Sequence, residues 1–277
     1  MEGLWHVKIG IDAGGSLVKV VALEQGVPTF SSFSSSELPL LHQHLDLAQP
    51  EAIYATGCGA KLVSKILDEH FISKMIITPE MTSFCAGARY FVKEDQRFDQ
   101  SFVLVSLGTG TSIFYVTPDQ SQRVTGTAVG GGTLLGLGEL MLGVKEFDIL
   151  AKMARAGNRS HLDLMVGDLY PDVDSPLLRE MTAANFGKLG EHAPEDIASA
   201  IFQLVLETNA LLAIQAAKTY NVKQIIMAGS PISEPLVQER LRIIGTLLQF
   251  PISFLPHAPY SGAMGSIIIG ENALHCE

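Results

Sequence analysis

The sequence of 277 residues has few cysteines and a shortage of positive charge, and both restrict what the protein can be. Its three cysteines form no CxxC pair and no zinc-type spacing, so we expect reduced thiols, as is usual in the cytoplasm. With 19 basic and 29 acidic residues the net charge is −10. We therefore expect a cytoplasmic protein whose main partner is neither nucleic acid nor an anionic membrane.

Uninterrupted apolar runs are also scarce. Lys8, Asp12 and Lys19 break the first apolar segment, and no basic region precedes it, so we expect no secretion signal. The most apolar region, residues 197–217, approaches the length of a membrane span. It contains Glu207 near its middle, which would be costly in a bilayer, and its apolar spacing fits a helix. We predict a core helix or a dimer helix, and no membrane partner.

The sequence does contain a glycine-rich turn between two apolar strands, and this pattern occurs twice. Residues 9–20 and 105–116 align at a constant offset of 96. The matched pairs are Gly14/Gly110, Ser16/Ser112, Val20/Val116, Ile11/Leu107 and Leu17/Ile113. A glycine turn lets backbone N–H groups approach a phosphate with no Cβ in the way. Two such turns that face each other would clamp a nucleotide. The P-loop pattern GxxxxGK[ST] is absent, which disfavours a P-loop kinase.

Hydrophobic periodicity and turn residues predict the same order of elements in both halves. The first half has strands at 7–12, 16–24, 28–33, 51–56 and 73–78, with helices at 36–47, 59–69 and 80–93. The second has strands at 102–107, 111–117, 122–127, 224–229 and 251–255, helices at 235–249 and 260–273, and a mostly helical insertion from 130 to about 220. We predict a lobe at 1–98, with the first nucleotide hairpin and the catalytic glutamate, and a lobe at 99–277.

This duplicated βββαβαβα order, with a glycine turn in each first hairpin, resembles the two-lobed α/β ATPases of the actin, hexokinase and Hsp70 class. The resemblance implies a nucleotide between the lobes, with its phosphates against the two hairpins.

Asp12 and Lys19 flank the first turn. An acid beside a phosphate clamp is chemically reasonable if Mg²⁺ or its water shell lies between them, and the alternative is an acid that satisfies its own loop. Lys19 could reach a phosphate or could be a solvated strand residue.

Two further glycine elements follow. Residues 108–112 offer backbone donors and hydroxyls, and residues 130–136 place glycines at a helix N-terminus, where an anion is favoured unless the glycines serve only close packing. Arg123 could bind a carboxylate or phosphate in bidentate fashion or lie on the surface. Ser230 ends a strand-to-helix turn of a type that can contact adenosine.

Phosphoryl transfer to an alcohol needs a carboxylate within reach of the hydroxyl. The residues alone leave four candidates open: Asp12, Glu80, Glu139 and Asp163. Glu80 follows Thr78 and Pro79, and the three together read as a helix start, where an acid is favoured by the dipole.

With these motifs in view, the chain resembles the bacterial type II, eukaryotic-like pantothenate kinases over about residues 7–270. Residues 11–19, 107–112, 123–136 and 181–187 carry the resemblance, and the last two segments are the most specific. It implies ATP-dependent phosphorylation of the primary hydroxyl of pantothenate to 4'-phosphopantothenate, the first step of coenzyme A biosynthesis. It also implies Mg²⁺ as cofactor and a homodimer to which helix 197–217 contributes.

The resemblance also assigns residues. It implies that Glu80 is the catalytic base and that Arg123 steadies charge on the transferring phosphoryl group, with Asp12 on the metal side. The implied nucleotide contacts are Asp12, Ala13, Gly14, Gly15, Ser16, Leu17, Val18, Lys19, Thr109, Gly131, Gly132, Thr133, Leu134, Leu135, Phe147 and Ser230. The implied pantothenate contacts are Glu80, Thr109, Ser112 and Arg123.

Two other functions compete with this one. A sugar or N-acetylhexosamine kinase would share the fold, although the repressor-related sugar kinases usually carry a clustered Cys/His zinc motif that is absent from this sequence. A non-catalytic nucleotide-binding regulator or an ATPase activator could be built on the same scaffold.

Overall fold

The computed structural model describes residues 7–15, 17–93, 101–170 and 178–274. Contacts divide these residues into two compact units. Of the described residues, the first unit takes those up to 93, Pro118–Ser121 and those from 255 onward, and the second takes Ser101–Thr117 and Gln122–Phe254. Ser16 was predicted to contact nucleotide, and it lies outside the described residues.

The first unit is built on a sheet of five strands within the described residues. Its elements are β1 (Val7–Ala13), β2 (Leu17–Glu24), β3 (Val27–Ser34), a 3₁₀ helix (Ser35–Leu40), α1 (Leu41–Ala48), β4 (Ala52–Thr56), α2 (Ala60–Ile66), α3 (Glu69–Ile72), β5 (Met75–Ile77) and α4 (Glu80–Lys93). The strand order is β3-β2-β1-β4-β5, with β1 to β3 antiparallel and β1, β4 and β5 parallel.

The second unit repeats this plan. Its strands and helices are β6 (Phe102–Leu107), β7 (Thr111–Val116), β8 (Ser121–Thr127), α5 (Gly131–Leu142), α6 (Phe147–Ala156), β9 (Leu164–Met165), α7 (Val166–Leu169), β10 (Thr182–Ala184), α8 (Pro194–Thr219), β11 (Ile225–Ala228), α9 (Pro235–Leu247) and β12 (Ile252–Phe254). Its described five-stranded sheet has the order β8-β7-β6-β11-β12. With the helix α10 (Ser261–Leu274) that follows β12 along the chain, the duplicated βββαβαβα order is confirmed.

The predicted helices of the first half are partly interrupted. The segment predicted as one helix at 36–47 begins as a 3₁₀ helix because Pro39 has no N–H for the α-helical pattern. The helix predicted at 59–69 ends at Ile66, and a new one begins where the Asp68 carboxylate accepts a hydrogen bond from the Phe71 amide at 3.1 Å. In the second unit, the predicted helical insertion also contains the short β9–β10 pair.

The repeat aligns at a different offset in the structure than in the sequence. Asp12 pairs with Thr56 on the parallel neighbour of β1, and Ser106 pairs with Ala228 on the parallel neighbour of β6. Glycines with φ of +89° and +110° follow those two neighbours, so Asp12 corresponds to Ser106 and the offset between β1 and β6 is 94 rather than 96. Lys19 lies opposite Asp12 and Ser112 lies opposite Ser106, so the offset between β2 and β7 is 93, because the second turn is one residue shorter. Strand side chains alternate with period 2, so the slip of two residues in the first strand preserves its apolar pattern and cannot be detected from it.

The last helix, α10 (Ser261–Leu274), packs on α4 in the first unit. This differs from the sequence-based division, which placed residues 255–277 in the second lobe. The two helices approach through glycines. A Cβ on Gly87 would collide with the carbonyl of Ser261, and a Cβ on Gly265 would collide with that of Ser83. Such small-residue contact gives little hydrophobic signal in a sequence.

The long helix α8 is a core element of the second unit. By length and composition it could cross a membrane, but 72% of its most apolar window is buried inside the protein. Its apolar side chains belong to the main hydrophobic cluster of that unit, as the core-helix interpretation expects. Leu211 and Gln215 are among the few exposed residues of the helix. The contribution of α8 to a homodimer stays a prediction.

Candidate active site

Three predicted charged residues lie close together at one edge of the first sheet. Asp12 on β1 pairs with Lys19 on β2, and the Lys19 Nζ is 4.0 Å from the Asp12 Oδ2. Burial raises the pKa of Asp12, Lys19 counteracts part of the rise, and the nearby Glu80 carboxylate adds to it. Because β1, β4 and β5 are parallel, their carboxyl ends share this edge.

Glu80 is exposed at the first position of α4. The Thr78 amide before it donates to the Ala55 carbonyl at 2.8 Å, which continues the pairing with β4. The Thr78 hydroxyl contacts the Ser83 hydroxyl at 2.8 Å. Within the described ranges, the Glu80 carboxylate has neither a hydrogen bond nor an ion pair. It is therefore free to accept a proton from a bound alcohol.

The described residues of the first glycine turn are partly engaged with neighbouring groups. The Gly14 amide donates to the Leu17 carbonyl at 3.0 Å, and the Gly14 carbonyl accepts from the Ser35 hydroxyl at 2.9 Å. Ala13 and Val18 are buried, so a nucleotide could reach only their backbone. Gly15 and Leu17 are exposed at the turn.

Two loops, which we call the nucleotide loop (residues 129–133) and the Thr109 turn (residues 108–110), are bonded to each other in the second unit. The Gly131 amide donates to the Gly108 carbonyl at 2.7 Å, and the Gly132 amide donates to the Thr109 carbonyl at 2.9 Å. The expected anion site at the start of α5 therefore has its first amides already engaged. In the described part of the chain, the Thr109 and Gly110 amides make no hydrogen bond and remain available as donors.

Arg123 and Ser112, both predicted near pantothenate, are brought together on neighbouring strands. The Arg123 Nε donates to the Ser112 Oγ at 3.4 Å, and Arg123 is exposed. The guanidinium lies against the backbone of Gly126. Its remaining N–H groups can bind a carboxylate or a phosphate oxygen.

Three other predicted nucleotide contacts of this unit differ in their exposure to solvent. Ser230 is exposed directly after β11. The ring of the adjacent Pro231 lies 3.3 Å from the position that a Cβ on Gly131 would take. Ser230 therefore borders the nucleotide loop. Leu134 is fully buried and can offer only backbone atoms. The half-buried ring of Phe147 packs against Phe202, with 5.8 Å between centroids, which gives it a core role as well.

Two of the four candidate bases have other partners. Asp163 is fully buried, accepts from the Phe186 amide at 2.9 Å and lies 3.5 Å from Arg159. Burial raises the pKa of Asp163. Phe186, in the specific segment 181–187, thus holds the buried Asp163 carboxylate within the second unit. Glu139 is exposed and pairs with Lys145 at 2.9 Å.

Sequence reasoning missed two glycines that border Asp12. A Cβ on Gly57 would lie 2.7 Å from the Asp12 Oδ1, and a Cβ on Gly262 would lie 2.7 Å from the Asp12 Oδ2. The only sequence signal was a glycine directly after a strand, at Gly57, and a Ser-Gly pair near the C-terminus. Any side chain at either position would displace the carboxylate.

A cavity of about 250 Å³ lies elsewhere in the second unit. It is lined by Arg159, Arg240, Gln203, Glu207 and neighbouring residues, and includes none of the predicted site residues. Arg240 donates to the carbonyls of Ser199 and Ala154 at 2.6 and 3.0 Å, which joins α9 to α8 and α6. The polar groups around this cavity are thus engaged in holding helices together.

Among the described residues, no cluster of three or more His, Cys, Asp or Glu could hold a metal ion by itself. This does not conflict with a Mg²⁺ that arrives with a nucleotide, because Mg²⁺ bound to phosphates takes only one or two carboxylates and several waters. The partly buried Asp12 carboxylate is a group of the kind that such a site needs.

Comparison with known proteins identifies the family. Residues 25–269 match the family model Fumble. A type II pantothenate kinase of Oceanobacillus iheyensis is 34% identical over 267 residues, which cover 94% of this chain and 98% of the relative. This chain belongs to the Fumble family. A second type II pantothenate kinase, of Bacillus cereus, is 34% identical to this Fumble-family chain over 94% of it and 97% of the relative.

Solved structures confirm the predicted ATPase fold. The activator of 2-hydroxyisocaproyl-CoA dehydratase from Clostridium difficile, with bound ADPNP, matches 96% of this Fumble-family chain and 95% of its own length at a TM-score of 0.61 and 11% identity. A ROK family glucokinase from Streptomyces griseus, in complex with glucose and AMPPNP, matches 95% of this chain and 98% of its own length, at a TM-score of 0.55 and 13% identity. At such identities the likeness concerns the fold alone.

Proposed function

We propose that this protein is an ATP-dependent pantothenate kinase that produces 4'-phosphopantothenate, the first step of coenzyme A biosynthesis. The observation that carries the proposal is the 34% identity to type II pantothenate kinases across nearly the whole of both chains. The grouping of Asp12, Lys19 and Glu80 at one sheet edge supports it, because phosphoryl transfer needs a base and compensation of phosphate charge at one place.

In the proposed mechanism, the exposed Glu80 carboxylate accepts the proton of the pantothenate hydroxyl as that oxygen attacks the γ-phosphorus of ATP. The bond from the γ-phosphorus to the β,γ-bridging oxygen breaks, and ADP leaves. Arg123, whose Nε donates to the Ser112 hydroxyl at 3.4 Å, binds negative charge on the substrate or on the transferring phosphoryl group. The free amides of Thr109 and Gly110 donate to phosphate oxygens. Asp12, directly or through water, would hold Mg²⁺, which neutralises phosphate charge when bound.

The remaining predicted contacts belong to the same proposal. The exposed Gly15, Leu17 and Ser230 would border the nucleotide, and Phe147 would contact adenine. A cytoplasmic homodimer, without nucleic acid or membrane partners, is also proposed.

A coupled ADP-release assay tests the function directly. We expect ADP release to depend on pantothenate and Mg²⁺, and not on glucose, N-acetylglucosamine or N-acetylmannosamine. Phosphorylation of one of these sugars without turnover of pantothenate would favour the sugar-kinase alternative. ATP binding with no acceptor turned over would favour a regulator or activator. Both alternatives occur among proteins with this fold.

The Glu80→Gln variant tests the base. General-base catalysis contributes about 10²- to 10⁴-fold to rate, so we expect kcat to fall by that factor while ATP binding is retained. Glu139→Gln is a matched control, because Glu139 is an exposed helical glutamate paired with Lys145. Near-wild-type turnover by the Glu80 variant would remove Glu80 from the mechanism.

A further inference from the structure

A buried amide side chain lies in the middle of the apolar core helix of the second unit. Asn209 on α8 is 0% exposed. The neighbouring core residues of its helix are Val205, Leu206, Ala210 and Ala213. Burial of an amide costs free energy unless hydrogen bonds compensate. A leucine at this position would avoid that cost.

The Asn209 side chain connects its helix to the nucleotide loop. Its Nδ2 donates to the Val205 carbonyl at 2.9 Å, one turn earlier in α8, and to the Val129 carbonyl at 3.0 Å. Because both neighbours are acceptors, the amide nitrogen must face them. The Oδ1 has no partner among the described residues. The long-range contribution of this amide is therefore the bond to Val129.

Val129 is held by three side chains. Its carbonyl also accepts from the Thr111 hydroxyl at 2.8 Å, and its amide donates to the Thr127 hydroxyl at 3.1 Å. The glycines that follow Val129 donate in turn to the Thr109 turn. Glycines have the greatest backbone freedom of any residue, so the residue before them determines where the loop begins.

We propose that Asn209 is a positioning residue for the nucleotide loop. It holds the Val129 carbonyl from the core side, so that Gly131 and Gly132 stay in register with the Thr109 turn and leave the Thr109 and Gly110 amides directed to a phosphate. The consequence for ATP rests on the proposed function, whereas the consequence for the loop does not.

The Asn209→Leu variant separates positioning from general stabilisation. The Val129 carbonyl keeps its bond from Thr111, so no buried acceptor loses all its partners, and we expect an unchanged or higher Tm. We expect amide hydrogen exchange of Gly131 and Gly132 to be about three- to tenfold faster, and the KM for ATP to rise by a similar factor. The KM for pantothenate should not change. A purely structural residue would lower Tm and leave the KM for ATP alone.

Gln203→Met is the matched control on the same helix. Gln203 is 6% exposed and donates to the Glu207 Oε2 at 2.8 Å, and among the described residues it makes no hydrogen bond to the nucleotide loop. We expect wild-type exchange of Gly131 and Gly132 in this variant. If Asn209→Leu does not fold, Asn209→Ala removes the same hydrogen bond to the Val129 carbonyl with a smaller side chain, and it should shift exchange and the KM for ATP in the same direction.

Wild-type exchange of Gly131 and Gly132 in Asn209→Leu, or in Asn209→Ala if the former does not fold, would overturn the proposal. So would faster exchange with an unchanged KM for ATP, if the wild-type protein is a pantothenate kinase. If the wild-type protein neither binds MgATP nor phosphorylates pantothenate, the proposed function fails, and the exchange comparison alone decides the role of Asn209.

Discussion

Replacement of Gly57 by alanine tests whether close backbone approach, rather than glycine flexibility, positions the Asp12 carboxylate. Gly57 follows β4 with φ of +89°, and its Cβ would lie 2.5 Å from the Ala13 carbonyl and 2.7 Å from the Asp12 Oδ1. Gly26 in the β2–β3 turn has nearly the same φ, +83°, but nothing within 4 Å of a Cβ. The two alanine variants therefore share the backbone strain and differ in the collision.

The magnitudes follow from these two terms. A left-handed backbone costs an alanine about 1–2 kcal/mol, and this cost applies at both positions. Forced overlap in a packed site adds about 1–3 kcal/mol, and it applies to Gly57→Ala alone. We expect Gly57→Ala to lower the free energy of unfolding of the first unit by about 1–3 kcal/mol more than Gly26→Ala does.

Native-state hydrogen exchange of β1 and β4 amides measures this difference without assuming that both units unfold together. The second measurement is the Mg²⁺ concentration that gives half-maximal kinase activity, which we expect to rise for Gly57→Ala only. Equal exchange protection in the two variants, to within about 0.5 kcal/mol, would show that the β4 end yields to the added methyl group. The argument from close approach would then be refuted.

Two further predictions concern charge. For Arg123→Ala we expect kcat/KM for pantothenate to fall about ten- to hundredfold, which is the contribution of a charge-assisted hydrogen bond, while the KM for ATP stays unchanged. An unchanged kcat/KM would show that Arg123 is a surface residue without contact to pantothenate. For Asp12→Asn we expect loss of activity but greater stability at pH 7. Burial raises the folded-state pKa of Asp12, so the wild-type protein loses stability as pH rises from the unfolded value through the folded one. Denaturation at several pH values should show this loss in the wild type and not in the variant.

The sequence predicted the elements well because each of its signals is local. Apolar alternation located the strands of both sheets, and the Thr-Pro-Glu sequence located the start of α4 at Glu80. The family resemblance also predicted the residues of the candidate site. The structure then placed Ser112 beside Arg123 and Asp12 near Glu80.

Other features depended on contacts that no local pattern contains. Asp163 was an open candidate for the base until its burial beside Arg159 and Phe186 showed an internal role. The amides of Gly131 and Gly132 were expected to face an anion, but the Thr109 turn already accepts their hydrogen bonds. No local pattern indicated the hydrogen bond between Asn209 and the Val129 carbonyl, because the two residues are 80 positions apart.

The sequence by itself determined the order of strands and helices, the presence of two glycine turns and the family, because periodicity, turn chemistry and motif identity are properties of neighbouring residues. Only the tertiary structure decided the true offset of the repeat, the packing of α10 on α4 and the partners of each amide and carboxylate. A shift of two residues leaves strand alternation unchanged, and hydrogen bonds between distant segments exist only after the chain has folded.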